Sequence, residues 1–148
     1  MLLESLQRLY DRDLNKLSEE IQLYKDEKNL WITDKNISNS AGNLILHLIG
    51  NLNTYIGAAF GNTGYIRQRD LEFSDKNVSR ENLLASIEEI KNIIKNTLSI
   101  IPEEQLYKEY PMEVSYGRTS TYHYLIHINV HLSYHLGQIN YHRRFFDE

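Results

Sequence analysis

Histidine is the residue type whose number and spacing in this sequence point most directly to chemistry. Four of the six histidines, His123, His127, His131 and His135, follow one another at four-residue steps near the C-terminus. Residues four apart are neighbours on a helix surface, so two such imidazoles can bind the same metal ion. Transition-metal sites take three or more protein ligands, so a pair on one helix requires a further ligand from another element.

Helical geometry distinguishes between the possible pairs. At about 100 degrees per residue, one side of this last helix collects the apolar residues Leu125, Ile128, Leu132, Leu136 and Ile139, which we take as its core face. His135 lies roughly 50 degrees from the centre of that face and His131 roughly 90 degrees. His127 and His123 lie further round, so we expect only the pair His131 and His135 to point towards the interior.

The second predicted helix offers one candidate for the third ligand, His47, within the apolar run 44–49. A lone histidine beside a core is more often a packing residue with its hydrogen bonds satisfied. The combination with an inward-pointing pair favours ligation instead. We therefore predict that His47, His131 and His135 hold one divalent transition-metal ion. His142 falls between the directions of the other two ligands on this helix but lies two turns further on.

Polar residues near these histidines could support such a site. Asn51 and Asn43 lie one turn either side of His47, and Gln138 follows His135 on the same helix. They could orient a ligand or a bound water, although bonding between neighbouring helices is an equally good interpretation.

Two arginines, Arg67 and Arg69, lie in a long connection and could contact a substrate carboxylate. Pairing with Asp70 or Glu72, which would hold the connection against the helices, is the favoured interpretation.

Three neutral imidazoles would leave a metal ion its full charge and an open coordination position, as in catalytic sites. A thiol bound there would lose its proton and become a nucleophile. The chain has no cysteine, so the thiol would arrive with a cosubstrate. A metal hydroxide for hydrolysis is the alternative, weakened because neither histidine motif contains a carboxylate to act as base.

The elements that must position these residues are four long predicted helices. Apolar residues recur at helical spacing in all four, and their predicted extents are 2–24, 40–60, 79–101 and 120–146, with Thr119 or Ser120 capping the last. The connections 61–78 and 102–117 are longer than antiparallel neighbours need. The sequence therefore predicts an all-α fold, a four-helix bundle with long crossover connections.

The overall composition limits the class of protein. A chain of 148 residues is expected to form one domain, residues 1–148. The net charge of −4, with acids and bases interspersed, argues against nucleic acid or an anionic membrane as partner. The absence of cysteine, of a signal peptide and of a long apolar span favours a cytoplasmic location.

Three segments of the chain resemble one family. The segment 131–139, HLSYHLGQI, is similar to the last-helix signature of the DinB superfamily of small helical metalloproteins, and 47–52, HLIGNL, is similar to its second-helix motif. The segment 67–73, RQRDLEF, resembles an arginine-rich loop of one DinB branch. The resemblance therefore covers nearly the whole chain in the correct order.

This resemblance implies the same three ligands, His47, His131 and His135, with zinc or nickel as the usual ion. It also implies a homodimer. The sequence gives a second reason to expect one, because Ile126 and Val130 are apolar residues that lie opposite the core face of the last helix. Some relatives are S-transferases or isomerases that use a low-molecular-weight thiol. The expected function is thus a metal-dependent thiol S-transferase, with a small-molecule thiol and an electrophile as substrates. The alternatives are a non-catalytic, stress-associated metal-binding bundle and, less favoured, a metal hydrolase.

Overall fold

The fold is described by a computed structural model that covers residues 1–34 and 36–148; Lys35, in the predicted connection 25–39, lies outside the described residues. The described residues form five α-helices: α1 (Leu2–Leu23), α2 (Ala41–Leu52), α3 (Arg69–Ser74), α4 (Arg80–Ile100) and α5 (Thr121–Phe146). The prediction of an all-α fold is confirmed. Within this part of the chain, no helix is both long enough and apolar enough to cross a bilayer.

Three helices begin at serine caps that the sequence indicates. Ser40, Ser79 and Ser120 each accept a hydrogen bond from the backbone amide three residues later, at the starts of α2, α4 and α5. A serine oxygen at this position satisfies an amide that has no partner within the helix. These caps fix where each helix begins, and hence the direction in which His47 and the α5 histidines point.

The helices pack around one apolar core. Helix α1 contacts α4 and α5, while α2 contacts α3, α4 and α5. Ile45 and Leu48 on α2 and Leu132 on α5 are fully buried members of this core. Burial of each such side chain contributes about 1.5–3 kcal/mol, so the core provides a driving force for folding that does not depend on a metal ion.

The structure differs from the sequence prediction after α2. The predicted helix 40–60 is not regular throughout, because a π-helical segment, Asn53–Ala58, follows α2. At its start, the side chains of Asn53 and Thr54 donate to the carbonyls of Ile49 and Gly50, at 2.9 and 2.8 Å. Side chains that use these carbonyls compete with the regular backbone pattern.

The predicted connection 61–78 contains the short helix α3, which the sequence does not signal. The Asn43 side chain on α2 holds it in place, donating to the backbone carbonyls of Glu72 and Asp75, each at 2.9 Å. The Ser40 hydroxyl in turn donates to the Asn43 amide oxygen at 2.8 Å. This chain of bonds places Glu72 against α2.

His142 is a packing histidine whose hydrogen bonds are satisfied. Its Nε2 lies 2.8 Å from the Ile32 carbonyl, which can only accept, so Nε2 carries the proton and Nδ1 accepts from the Tyr24 hydroxyl at 2.7 Å. Burial lowers the pKa of His142 below its usual value, although the bond to Ile32 opposes the shift. The imidazole is therefore neutral in the folded chain at pH 7.

This neutral histidine predicts acid lability. Because its folded pKa lies below its unfolded value of about 6.5, the unfolded chain takes up a proton first as the pH falls. Its contribution to stability is complete above that pH and declines below it. We expect His142→Gln to lower the free energy of unfolding by about 1–3 kcal/mol at pH 7.5, with a smaller difference from wild type at pH 5.5.

Urea denaturation at the two pH values measures this effect. His123→Gln is the matched control, because the His123 side chain is exposed and its replacement should leave the free energy of unfolding unchanged at both pH values. An equal loss for His142→Gln at both pH values would contradict a buried neutral imidazole.

Candidate metal centre

Three imidazoles converge where α2 crosses α5. Nε2 of His131 lies 3.1 Å from Nε2 of His47 and 3.1 Å from Nε2 of His135. The ligand atoms of all three residues lie within 4.8 Å of one another. Nitrogens that bind a tetrahedral ion at about 2.0–2.1 Å lie about 3.3 Å apart. The structure thus brings together the three residues that the sequence predicts as ligands.

Hydrogen bonds at the far edges of two rings fix their tautomers. Nδ1 of His47 lies 3.0 Å from Oε1 of Glu72, and Nδ1 of His135 lies 2.7 Å from Oε1 of Gln138. Both oxygens accept, so both Nδ1 atoms carry the proton and each Nε2 presents a lone pair. Acceptors placed behind metal-binding histidines have this orienting role in many proteins.

The third imidazole, His131, has no such acceptor: its Nδ1 is buried and has no hydrogen-bond partner among the described residues. Burial and the neighbouring imidazoles of His135 and His47 lower the pKa of His131 to about 4. Burial also lowers the pKa of His135, although the bond to Gln138 opposes this shift. Imidazole rings whose Nε2 lone pairs face one another repel one another. A proton could bridge one pair, whereas a metal ion can bind all three, so the donor set fits a cation.

The chemistry of the donors narrows the kind of ion. The described cluster consists of imidazole nitrogens alone. Imidazole suits zinc, nickel, copper and iron, whereas magnesium and calcium prefer oxygen ligands. His47 is buried, while His131 and His135 are half-buried. One side of the cluster therefore remains open to small molecules, as in a catalytic rather than a closed site.

An ion pair between the buried Glu72 and the half-buried Arg67 supports His47 from behind. Arg67 donates to both carboxylate oxygens of Glu72, from Nε at 2.9 Å and from Nη2 at 2.8 Å. The same Nη2 lies 3.3 Å from Nδ1 of His47, a longer contact than the 3.0 Å from that nitrogen to Glu72. Burial alone would raise the pKa of Glu72, but the bonds from His47 and Arg67 bring it below its usual value. Glu72 is thus ionised and accepts from both partners.

Gly50 makes the approach of Glu72 possible. It lies one turn beyond His47 on α2, under the Glu72 carboxylate. A Cβ at position 50 would overlap Oε2 of Glu72 and would lie 2.6 Å from its carboxyl carbon. Any larger residue would therefore push the carboxylate away from its present position.

The remaining residues singled out from the sequence lie around this centre. Gln138 accepts a hydrogen bond from His135. Asn51 is buried, and its Oδ1 has no hydrogen-bond partner among the described residues. The Arg67 charge is matched by Glu72, the pairing favoured from the sequence, and Arg67 also lies over the ring of Tyr55, 5.7 Å from its centre. Arg69 is exposed and lies over the Phe73 ring, 5.2 Å from its centre.

The two outer histidines of the α5 series do not join the cluster. His123 and His127 are exposed, in agreement with the helical-wheel prediction. His127 stacks on Tyr124, with ring centres 5.5 Å apart and an interplanar angle of 19°. The four histidines of this series therefore form an outer pair against aromatic rings and an inner pair in the candidate centre.

The sequence indicated Glu72 only as a possible partner of Arg67, and Gly50 only as a member of the segment 47–52, without a role of its own. Glu72 lies 25 residues after His47, in a segment without apolar periodicity. The available signal was the pairing of an arginine with a glutamate five residues later, together with a glycine three residues after a candidate ligand.

Fold and site define an all-α protein with a three-histidine cluster that could hold a metal ion. The whole chain, residues 1–148, matches the family described as "Protein of unknown function (DUF1572)", and the chain belongs to that family. This family is in the DinB-like superfamily, so the resemblance is confirmed at the level of the superfamily. A search of curated proteins finds no match.

Proposed function

We propose that this chain is a metal-dependent S-transferase, which joins a low-molecular-weight thiol to an electrophile. The observation that carries the proposal is the convergence of three histidine Nε2 atoms at a site with one open side. Zinc and nickel are the proposed ions, since all the donors are imidazoles. The proposal includes the DinB-like architecture, a four-helix bundle of α1, α2, α4 and α5 with crossover connections.

A divalent ion bound by three neutral imidazoles would lower the pKa of a thiol or water at its open position. The residues of the chain supply the remaining requirements. Glu72 and Gln138 orient His47 and His135, and the half-buried edges of His131 and His135 leave room for substrate. The chain has no cysteine, so the thiol is a cosubstrate, and we place the reaction in the reducing cytoplasm.

The position of Glu72 argues against hydrolysis. Metal hydrolases usually carry a carboxylate that can take a proton from water at the open side of the ion. The Glu72 carboxylate lies instead behind His47 and is held by two bonds from Arg67. It is thus placed to orient a ligand. A bundle that binds metal without catalysis is the remaining alternative.

The transferase proposal predicts conjugation of monochlorobimane. With zinc- or nickel-loaded protein, a panel of cysteine, glutathione, coenzyme A and sugar-linked cysteinyl thiols should include at least one substrate. In the reaction a C–S bond forms, the C–Cl bond breaks, chloride leaves and the thiol proton passes to solvent. The fluorescence of the product measures the rate.

The rate should fall to background for His135→Ala and remain unchanged for His123→Ala, whose imidazole is exposed. A loaded protein that accelerates conjugation of no thiol on the panel would favour the non-catalytic alternative.

We also propose a homodimer. Ile126 and Val130 are 40% and 59% exposed, on the side of α5 opposite its core. A helix that is apolar on two sides usually has both sides covered, and a two-fold axis is the commonest way to cover such a stripe. Light scattering at micromolar concentration should give twice the chain mass of 17.5 kDa. Val130→Lys should give the mass of one chain; a monomeric wild type would contradict the proposal.

A further inference from the structure

A cleft opens beside the candidate metal centre, between α5 and the segment 36–39 that precedes α2. Its volume is ≈ 510 Å³, which lies within the range of about 300–1,000 Å³ typical of small-molecule sites. His135 and Gln138, which are bonded to each other, form part of its wall. One imidazole therefore belongs both to the cleft and to the three-histidine cluster.

Aromatic side chains on α5 line this cleft without being covered. Tyr134, Tyr141 and Phe145 are 64%, 65% and 70% exposed, and all three face the cleft. Leu44 and Ile37 add apolar surface from the opposite side. Aromatic rings gain most from burial against another ring or a flat apolar group, so this surface favours a ligand with an aromatic ring.

The polar groups in the cleft carry no formal charge. Among the described residues that line it, none is Asp, Glu, Lys or Arg. Its neutral hydrogen-bonding groups are the side-chain amides of Asn36, Asn39 and Gln138 and the hydroxyls of Ser38, Tyr134 and Tyr141. His142 contributes a neutral ring whose two nitrogens are already bonded. A charged ligand would lose part of its hydration here without gaining an ion pair from any described lining side chain.

We propose that this cleft binds an uncharged small molecule that contains an aromatic ring. This molecule is the electrophile of the transferase reaction; that part of the inference rests on the proposed function. Gln138 then has two contacts, one with His135 and one with the cleft. Substrate selection is carried by aromatic contact and neutral hydrogen bonds, with no role for a cationic side chain among the described lining residues.

Two fluorescent probes with the same ring system test the charge argument. N-phenyl-1-naphthylamine is uncharged, and 8-anilinonaphthalene-1-sulfonate adds one sulfonate to the same framework. The neutral probe should bind one site per chain, at least about tenfold more tightly than the sulfonate. Equal or tighter binding of the sulfonate would overturn the proposal.

Substitutions in the wall of the cleft locate the bound probe. Phe145→Ser should weaken binding of the neutral probe about tenfold, equivalent to the loss of one large aromatic contact. Ser38→Trp should block the cleft. Both side chains belong to exposed positions, so circular dichroism should show intact folding. Val130→Ser is the matched control, an exposed apolar residue of α5 outside the cleft.

The remaining outcomes separate this inference from its alternatives. His131→Ala should bind the neutral probe as tightly as the wild type, since the cleft does not need the metal. The same variant should fail to conjugate a thiol, because that reaction needs the metal, so the two measurements test the cleft and the proposed function separately. Equal losses for Val130→Ser and Phe145→Ser would assign the probe to the dimer stripe and overturn the proposal. So would affinity that falls as protein concentration rises, because a second copy would then occupy the cleft.

Discussion

His131→Ala and His135→Ala are each expected to abolish stoichiometric metal binding, whereas the wild-type chain is expected to bind one zinc or nickel ion. Either change leaves two of the three converging nitrogens, and proteins do not hold transition metals firmly with two ligands. Substitution of a residue that orients a ligand typically lowers metal affinity 10- to 100-fold. Loss of the ligand itself should lower the affinity by about one further order of magnitude. Elemental analysis after gel filtration and competition with a fluorescent zinc chelator measure stoichiometry and affinity.

His127→Ala and His123→Ala are the matched controls for this experiment. Both residues lie on α5 at the same four-residue spacing, but their side chains are exposed and lie outside the cluster. Each variant should retain one ion per chain. Unchanged metal content in both His131→Ala and His135→Ala would rule out this site.

Thermal unfolding provides an independent measure of the same site. The apolar core should keep the metal-free chain folded, because residues such as Leu48, Ile45 and Leu132 are buried without reference to the ion. Metal at 100 times its dissociation constant should add about 2.7 kcal/mol to the wild-type free energy of unfolding. His131→Ala should show no such gain. If a chelator unfolded the wild type at room temperature, the metal would be structural and the transferase proposal would lose its basis.

The three converging histidines could be predicted from sequence because they lie on long, regular helices. The apolar stripe of α5 fixes its rotation, and rotation at about 100 degrees per residue fixes which histidines face inwards. His47 required only that the apolar face of α2 meet the same core. The serine caps indicated where α2 and α5 begin. The direction of these side chains, and their position along each helix, therefore followed from local rules.

The support behind His47 followed from no such rule. Glu72 lies on a six-residue helix, α3, within a connection that lacks apolar periodicity. Its position depends on Asn43, which bonds two backbone carbonyls around α3, and on the absence of a side chain at Gly50. These are tertiary contacts between segments about 20–30 residues apart, which helical periodicity does not encode.

A second large loss of metal affinity is expected when the carboxylate that orients His47 is removed. Glu72→Gln is expected to lower metal affinity 10- to 100-fold while leaving all three ligands in place. The substitution removes the negative charge that favours the imidazole proton on Nδ1 and the lone pair on Nε2. It also leaves the half-buried Arg67 without its partner. Competition titration with the zinc chelator measures the change in affinity.

A second ion pair in the chain gives the matched control. Glu20 on α1 accepts from Arg143 on α5 at 2.7 Å, with both side chains largely buried. Glu20→Gln removes a comparable pair away from the three histidines, so it should lower the melting temperature and leave metal affinity unchanged. Equal affinities for Glu72→Gln and wild type would show that the carboxylate does not orient His47.

Gly50→Ala should produce the same loss of affinity without altering a ligand or a charge. The added methyl group would overlap Glu72 and force its carboxylate away from Nδ1 of His47. Gly137→Ala is the control, because Gly137 lies between His135 and Gln138 and a Cβ there would meet nothing within 4 Å. That variant should bind metal normally and gain up to about 1 kcal/mol from helix propensity.

The double variant decides whether Gly50 acts through Glu72. In a Glu72→Ala background the carboxylate is gone, so Gly50→Ala has nothing to displace and should cause no further loss of affinity. Residues in direct contact couple in this non-additive way, whereas independent sites give additive effects. Full additivity of the two losses would mean that alanine at position 50 disturbs α2 itself. Non-additivity would establish that Glu72 holds His47, and that the position of the Glu72 carboxylate depends on the absence of a side chain at Gly50.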